Sequence, residues 1–204
     1  AALALRHNLF ICSDDIHCDL IFSGYRHTPI AGLDPDVAAR TITLMAPSKT
    51  YNIAGLECSL AIIQNLELRK QYEAARKHLV GGPNIMGFTA AQAAYEEGQE
   101  WLEQMMAYLE ANRNFLAGYL AKHLPGIEMS PMEGTFLAWL DCRRAGIPGN
   151  PFEFFMGEAK VALNDGPTFG KGGEGFVRLN FGCPRATLVE GLERMRAALA
   201  RLKS

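Results

Sequence analysis

Two short apolar segments, each ending in polar residues, place the strongest constraint on how this chain folds. Residues 9–12 run into Ser13-Asp14-Asp15, and residues 41–45 run into Ala46-Pro47-Ser48-Lys49. Short apolar runs bounded by turn residues are typical of buried strands, and α/β sheets bind ligands at the carboxyl ends of such strands. The pattern therefore predicts an α/β fold with Asp14 and Lys49 at the ligand edge of its sheet.

The rest of the chain alternates predicted helices and strands. A third strand is expected at residues 59–63, and apolar residues spaced by three and four predict a long amphipathic helix over residues 101–120. Beyond it lie three more predicted strands and a helix: residues 135–140, 161–163 and 176–181, with the helix at 152–160. A capping-box pattern, Thr187-Leu188-Val189-Glu190, predicts the start of the last helix.

Composition excludes several classes of protein. Twenty basic and 22 acidic residues leave a net charge of −2 without a basic stripe, so nucleic acid is not an expected partner. No apolar run reaches the length of a membrane span. The five cysteines are scattered and lack metal-ligand spacing, which indicates a cytoplasmic protein with no metal site. The chain does not begin with methionine, and we expect it to be cut from a larger protein.

Three residues provide the groups that pyridoxal phosphate needs. Lys49 can hold the cofactor as a Schiff base and later move the proton of the substrate's α-carbon. Asp14 is placed to keep the ring nitrogen protonated, and His17 can bond the ring hydroxyl. Each residue alone is more often a turn or surface position, so the prediction depends on their occurrence together.

Arg178 is a charge inside an otherwise apolar strand. Such a charge requires a partner, and the α-carboxylate of an amino-acid substrate would match its bidentate fork. An internal salt bridge with an Asp or Glu of this chain is an equally good explanation from the pattern alone. Arg185, nearby, is expected to be a helix-start or surface residue.

Four motifs in order resemble one known family, the fold-type I pyridoxal phosphate enzymes, and within it the MalY/PatB group of cystathionine β-lyases related to class I/II aminotransferases. These motifs are Ser13-Asp14-Asp15-Ile16-His17-Cys18-Asp19, Ala46-Pro47-Ser48-Lys49-Thr50-Tyr51-Asn52-Ile53-Ala54-Gly55-Leu56, Ala93-Ala94-Tyr95-Glu96-Glu97-Gly98 with Trp101-Leu102, and Val177-Arg178-Leu179-Asn180-Phe181-Gly182-Cys183-Pro184-Arg185. The resemblance implies Asp14 on the pyridinium nitrogen, His17 at the ring hydroxyl, Lys49 as the Schiff-base lysine and Arg178 on the substrate carboxylate. It also implies a homodimer.

The resemblance further implies a domain arrangement. Residues 1–98 would be the remaining part of the cofactor-binding large domain with its mostly parallel sheet, 99–122 a linking helix, and 123–204 a smaller C-terminal α/β domain. In relatives about half of the enzyme, with much of the cofactor-binding machinery, precedes the strand that carries Asp14. We therefore expect this 204-residue piece to be inactive alone.

The resemblance favours a lyase over a transaminase. Many aminotransferases carry a phosphate-binding arginine eight residues after the lysine and a serine three residues before it, where this chain has Glu57 and Ala46. The MalY/PatB group shares that absence, which leaves Ser48 as a candidate phosphate contact. The expected reaction is carbon–sulfur β-elimination from cystathionine or cysteine conjugates. An aminotransferase using the same lysine and a non-catalytic regulatory or protein-interaction module remain as alternatives.

Overall fold

The computed structural model describes residues 1–77 and 79–202, in two compact units, Ala1–Gln104 and Met105–Ser204. Both units mix helices and strands, which confirms the predicted α/β class. The three-part division at residues 98 and 122 stays a prediction, and residues 203 and 204 of its small domain lie outside the described ranges. None of the helices described has the length and apolar character that crossing a membrane requires.

The first unit is built around a three-stranded sheet of order β1-β2-β3. Its strands and helices are β1 (Ile11–Asp14), β2 (Thr41–Met45), β3 (Leu60–Ile62), α1 (Ala2–Arg6), α2 (Pro35–Ala38), α3 (Pro47–Thr50), α4 (Leu66–Arg76), α5 (Ile85–Glu97) and the start of α6 (Gln99–His123). The first two strands are parallel, with Asp14 opposite Leu44, whereas β3 runs antiparallel to β2.

Strand β1 lies two residues later than the sequence predicts. The amide of Leu9 still bonds to the carbonyl of Ala4 in helix α1, and Asn8 turns the chain with a φ of 51°. The ladder with β2 begins only when the amide of Ile11 reaches the carbonyl of Arg40, at 2.9 Å. The apolar residues correctly indicated a strand in this region, but the end of helix α1 determines the residue at which β1 begins to pair with β2.

The helix after the Gly81-Gly82 break starts at a side-chain cap. Asn84 accepts a 2.8 Å hydrogen bond from the amide of Gly87 and donates one to the carbonyl of Leu56. A Cβ at Gly87 would lie 2.3 Å from that same carbonyl oxygen. Helix α5 is therefore seated directly on the turn at residues 54–56, which follows α3 and its lysine.

The second unit has a four-stranded antiparallel sheet of order β4-β5-β7-β6. Its elements are β4 (Glu128–Met129), β5 (Leu137–Asp141), α7 (Pro151–Phe154), β6 (Asn164–Asp165), β7 (Phe176–Asn180) and α8 (Arg185–Arg201), after the remainder of α6. The predicted strand at residues 161–163 is wrong. Helix α7 passes into a π-helical turn, Phe155–Ala159, and Lys160 reverses the chain at a φ of 55°, so pairing begins only at Asn164.

The junction of β7 and α8 is fixed by a buried amide. Asn112, fully buried in α6, donates to the carbonyls of Phe181 and Cys183 and accepts from Nε of Arg185. Arg185 is thus the helix-start residue that the sequence predicts. The predicted capping box at Thr187 is wrong, because α8 has already begun two residues earlier after Pro184.

Candidate cofactor site

The candidate site lies at the carboxyl ends of β1 and β2. Asp14 is the last residue of β1, and Lys49 lies in the one-turn helix α3 that follows β2. Because the two strands are parallel and paired, both ends meet at the same sheet edge, with neighbouring backbones about 5 Å apart. The structure therefore brings the two segments together at the edge where α/β sheets bind ligands.

The two neighbouring aspartates have different surroundings. Asp15 is buried and accepts hydrogen bonds from the Ser13 hydroxyl, at 2.6 Å, and from Nε2 of His27, at 3.1 Å. Asp14 is exposed, and its Oδ1 accepts a long 3.4 Å bond from the amide of Ile16. Asp15 thus anchors the turn, while the carboxylate of Asp14 remains available to a ligand.

His17 is half-buried in the tight turn that follows Asp14. The carbonyl of His17 accepts from the amide of Leu20, and that of Asp15 from the amide of Cys18, both at 3.0 Å. These bonds hold the histidine close along the chain to the free carboxylate. Its assignment to the ring hydroxyl stays a prediction.

The lysine turn presents Lys49 to solvent. Lys49 is exposed and forms no ion pair with residues 1–77 or 79–202, and Ser48 beside it is half-buried. Pro47 starts the turn without requiring an amide partner, and its carbonyl accepts from Tyr51. A primary amine and a free carboxylate at one edge, with an imidazole and a hydroxyl nearby, suit pyridoxal phosphate.

A contact that the sequence did not predict joins the two segments. Oγ1 of Thr50, at the end of α3, donates to Oδ2 of Asp19 at 3.1 Å, and Thr50 is fully buried. Asp19 belongs to the same motif as Asp14 and His17, but nothing in the spacing indicated a partner 31 residues away. Such a long-range pair becomes visible only when the parallel strands are paired.

An aromatic cluster packs beside this contact. The ring of Tyr51 lies 5.8 Å from that of Tyr95 and 6.1 Å from that of Trp101. Burial first, and then the negative charge of Asp19, raise the pKa of Tyr51 and of Tyr95. The same two causes raise the pKa of the Cys18 thiol to about 11. These groups are therefore protonated at neutral pH, facing an acceptor carboxylate.

Arg178 lies in the second unit, on strand β7. Its Nη2 and Nε donate to Oδ1 of Asn164, at 3.1 and 3.3 Å, and its guanidinium lies 4.6 Å from the ring centre of Phe169. No carboxylate of the described residues pairs with it. The internal salt bridge that the sequence allowed is therefore not formed within those residues. An amide oxygen and an aromatic face orient the cation.

The described residues contain no group of three or more His, Cys, Asp or Glu side chains arranged to hold a metal ion. Among the residues described, the amine of Lys49 and the carboxylate of Asp14 follow the carboxyl ends of two paired parallel strands. A lysine and an aspartate so placed, within an α/β unit, fit the class of fold-type I pyridoxal phosphate enzymes.

The chain belongs to the class I and II aminotransferase family, whose profile matches residues 1–195. It is 41% identical to cystathionine beta-lyase PatB of Bacillus subtilis, over 97% of this chain and 52% of the relative. Cystalysin from Treponema denticola, solved with pyridoxal 5′-phosphate, superposes with a TM-score of 0.94 at 35% identity, covering 98% of this chain and 52% of that one. The structure of OvoB superposes with a TM-score of 0.91 at 46% identity, covering 97% and 51%.

These comparisons confirm the family resemblance and the fold. The family is pyridoxal phosphate-dependent, and its members most similar to this chain include cystathionine β-lyases. The chain spans about half the length of the curated relatives it matches, as expected for the C-terminal part of such an enzyme. The roles of individual site residues stay predictions.

Proposed function

We propose that this chain carries the cofactor lysine of a pyridoxal phosphate-dependent carbon–sulfur β-lyase that acts on cystathionine or cysteine conjugates. The observation that carries the proposal is the position of Asp14 and Lys49 at the shared carboxyl edge of two paired parallel strands. Both are exposed and without ion-pair partners among the described residues. The 41% identity to a cystathionine β-lyase supports the reaction class.

Each residue has a separate task in this proposal. The carboxylate of Asp14 bonds the protonated ring nitrogen, His17 the ring hydroxyl, and Ser48 the phosphate. Arg178 binds the α-carboxylate of the substrate through its planar fork. Its bond to Asn164 occupies Nε and Nη2 and leaves Nη1 donors available.

Lys49 holds and then moves a proton. Bound pyridoxal phosphate supplies an electron sink that makes the α-proton of an amino acid acidic. With the cofactor bound, the free amine of Lys49 would take this proton. The overall reaction would release a thiol from the β-carbon of the substrate and, after addition of water, give pyruvate and ammonia.

A transaminase is the second candidate, because the same lysine and carboxylate serve both reactions. Glu57 and Ala46, at the positions where many aminotransferases have phosphate ligands, favour the lyase. The test is to supply the full-length gene product with cystathionine and no keto acid. Pyruvate formation supports the lyase, and turnover that requires a keto acid supports the transaminase. A full-length protein that stays colourless with added cofactor would contradict both and leave a regulatory or interaction module.

We further propose that the full-length protein is a cytoplasmic homodimer. Five large side chains at residues 79–88 are strongly exposed, namely Leu79, Val80, Ile85, Met86 and Phe88. Contiguous exposed apolar residues of this size favour a protein partner, and a second copy is the partner we expect. Light scattering of Phe88→Glu against the unmodified full-length protein tests this, since a charge at the interface should yield monomers. The five free cysteines accord with a reducing compartment.

The 204-residue chain alone is expected to be inactive. It corresponds to about half of each relative, and the residues proposed above are only the part of the cofactor site that lies in this half. Assay of the isolated chain beside the full-length gene product provides the comparison. Equal turnover by both would contradict this part of the proposal.

A further inference from the structure

One hydrogen bond connects the segment of Asp14 to the segment of Lys49. Thr50, the residue after the lysine, donates from Oγ1 to Oδ2 of Asp19 at 3.1 Å. Asp19 follows Asp14 by five residues, in the turn after β1. The roles proposed above include neither Thr50 nor Asp19.

The lysine turn depends on such contacts for its position. Helix α3 is a single turn of four residues, far shorter than a helix that is stable on its own. Its two buried residues are Pro47 and Thr50, which flank Ser48 and Lys49. Pro47 has no side-chain donor, so of these two buried side chains it is Thr50 that can make a directed hydrogen bond.

On the far side of Thr50, aromatic packing adds to the backbone hydrogen bonds of the turn. Tyr51 lies against Tyr95 and Trp101, and a Cβ at Gly98 would come within 2.6 Å of its ring. Apolar packing restrains distance but tolerates rotation, whereas a hydrogen bond fixes direction. The bond to Asp19 therefore adds a directed side-chain restraint to the turn that carries Lys49.

The surroundings of Asp19 leave the direction of this bond unambiguous. Burial, and then the negative charge of Asp19, raise the pKa of the Cys18 thiol, of Tyr51 and of Tyr95. These neighbours retain their protons at neutral pH, because burial and the negative charge both disfavour a second anion. A carboxylate oxygen accepts and a hydroxyl donates, so Thr50 is the donor in this bond.

We propose that Asp19 is a positioning residue for Lys49: by accepting the Thr50 hydroxyl, it sets the lysine amine relative to Asp14 and His17. This role rests on the proposed function, since it presumes that Lys49 binds pyridoxal phosphate. It predicts that loss of the bond slows attachment of the cofactor to the lysine. Non-covalent binding of the cofactor, which does not involve the lysine amine, should be unaffected.

The test compares covalent and non-covalent binding in the cofactor-free, full-length gene product. Pyridoxal phosphate is added, and growth of the yellow band of the lysine-bound cofactor gives the rate of attachment. Thr50→Val removes the hydroxyl at nearly constant volume and should slow attachment about tenfold or more, the usual effect of losing a hydrogen bond to a charged group. Thr50→Ser keeps the hydroxyl and should restore the rate. Asp19→Asn keeps an acceptor oxygen and should give an intermediate rate.

The same Thr50→Val change in a Lys49→Ala background separates positioning from general damage. There cofactor affinity, measured by quenching of tyrosine and tryptophan fluorescence, should be the same with threonine or valine at position 50. Weaker affinity with valine in that background, or an unchanged attachment rate in Thr50→Val, would overturn the positioning role. If Thr50→Val does not fold, Asp19→Asn decides: an attachment rate equal to that of the unmodified protein overturns the role. An unmodified protein that forms no band at all overturns the proposed function itself.

Discussion

The two units differ in how well each covers its own apolar side chains. In the second unit the sheet and helices bury a continuous core, with Phe155, Val177, Phe181, Leu192 and Met195 fully inaccessible. The first unit buries Leu20, Phe22 and Val37 almost as completely. However, most of the exposed large hydrophobic side chains among the described residues also belong to this unit. In the second unit the exposed ones are Tyr108, Met156, Phe169 and Leu202.

The difference teaches that the unit with the proposed cofactor lysine is the one less able to stand alone. Its three-stranded sheet leaves Leu60 and Ile62 exposed on β3, and the face at residues 79–88 is open. Small units need nearly complete burial to offset chain entropy. The unit that contains Lys49 therefore needs additional polypeptide to cover its apolar surface. The unit that contains Arg178 has a core that is already covered.

The largest expected effect is on autonomous folding. A fragment of residues 99–204, which retains all of helix α6, should unfold in one cooperative thermal transition because its core is complete. A fragment of residues 1–98 should bind a hydrophobic dye and lack such a transition, because its apolar surface stays open. Calorimetry and dye fluorescence of the two fragments check this. Cooperative unfolding of the fragment of residues 1–98 would contradict the conclusion that the first unit is less able to fold alone.

A matched pair of phenylalanines sharpens the comparison at a single side chain. Phe155→Ala removes a fully buried ring from the second unit and should lower the free energy of unfolding by about 3–5 kcal/mol. Phe88→Ala, at a ring that is 58% exposed in the first unit, should cost below about 1 kcal/mol in the isolated chain. Denaturant titration of both variants gives the two values. Similar losses of unfolding free energy in the two variants would mean that the ring of Phe88 is buried in solution.

Two glycines, Gly98 at the end of α5 beside the lysine turn and Gly118 within α6, provide a matched pair. A Cβ at Gly98 would lie 2.4 Å from the carbonyl of Ala94 and 2.6 Å from the Tyr51 ring, so Gly98→Ala should destabilise by about 1–3 kcal/mol. Gly118→Ala, in the second-unit part of α6, meets nothing within 4 Å and should stabilise by about 0.5–1 kcal/mol. Thermal denaturation measures both. Opposite signs are the expected result.

The smallest expected effect is a difference in labelling rate between the thiols of Cys18 in the first unit and Cys142 in the second. Burial, then the charge of Asp141, raises the pKa of Cys142 in the second unit to about 12, against about 11 for Cys18 in the first. Iodoacetamide at pH 9 should therefore label exposed Cys12 first, Cys18 more slowly and Cys142 last. Peptide mass mapping over time gives the order. Rapid labelling of Cys142 would show that the second unit opens readily.

The raised pKa of Cys18 also gives stability a pH dependence. Folding favours the protonated thiol, so its contribution is complete below the unfolded-state value, about 9, and is lost as pH rises towards about 11. Tyr51 and Tyr95, also raised, extend the loss to higher pH. Denaturant titrations from pH 8 to 11 should show stability falling at the alkaline end, and less steeply in Cys18→Ala. If stability falls equally steeply with pH in Cys18→Ala and in the unmodified protein, the Cys18 thiol is not the cause of the loss.

Apolar runs and turn residues sufficed to predict the class of fold, strand β2 with its bounds, and the long helix, because burial dominates these features. These patterns did not predict element boundaries that depend on backbone conformation. The π-helical turn and the left-handed Lys160 displaced one strand, and Pro184 started α8 before its supposed cap. The site motif predicted Asp14 and Lys49, but the bond between Thr50 and Asp19 depends on strand pairing that spacing alone does not encode.

The tandem aspartates at the end of β1 make the site sensitive to strand register. Successive side chains of a strand point to opposite faces, so a slip of one residue against β2 would exchange the positions of Asp14 and Asp15. The carboxylate engaged with Ser13 and His27 would then face the ligand, and the free one would be turned away. The amide of Asp15, bonded to the carbonyl of Leu44 at 2.9 Å, guards against that exchange. The pairing of β1 with β2, which this bond extends past Asp14, thus determines which of two aspartates is available for chemistry.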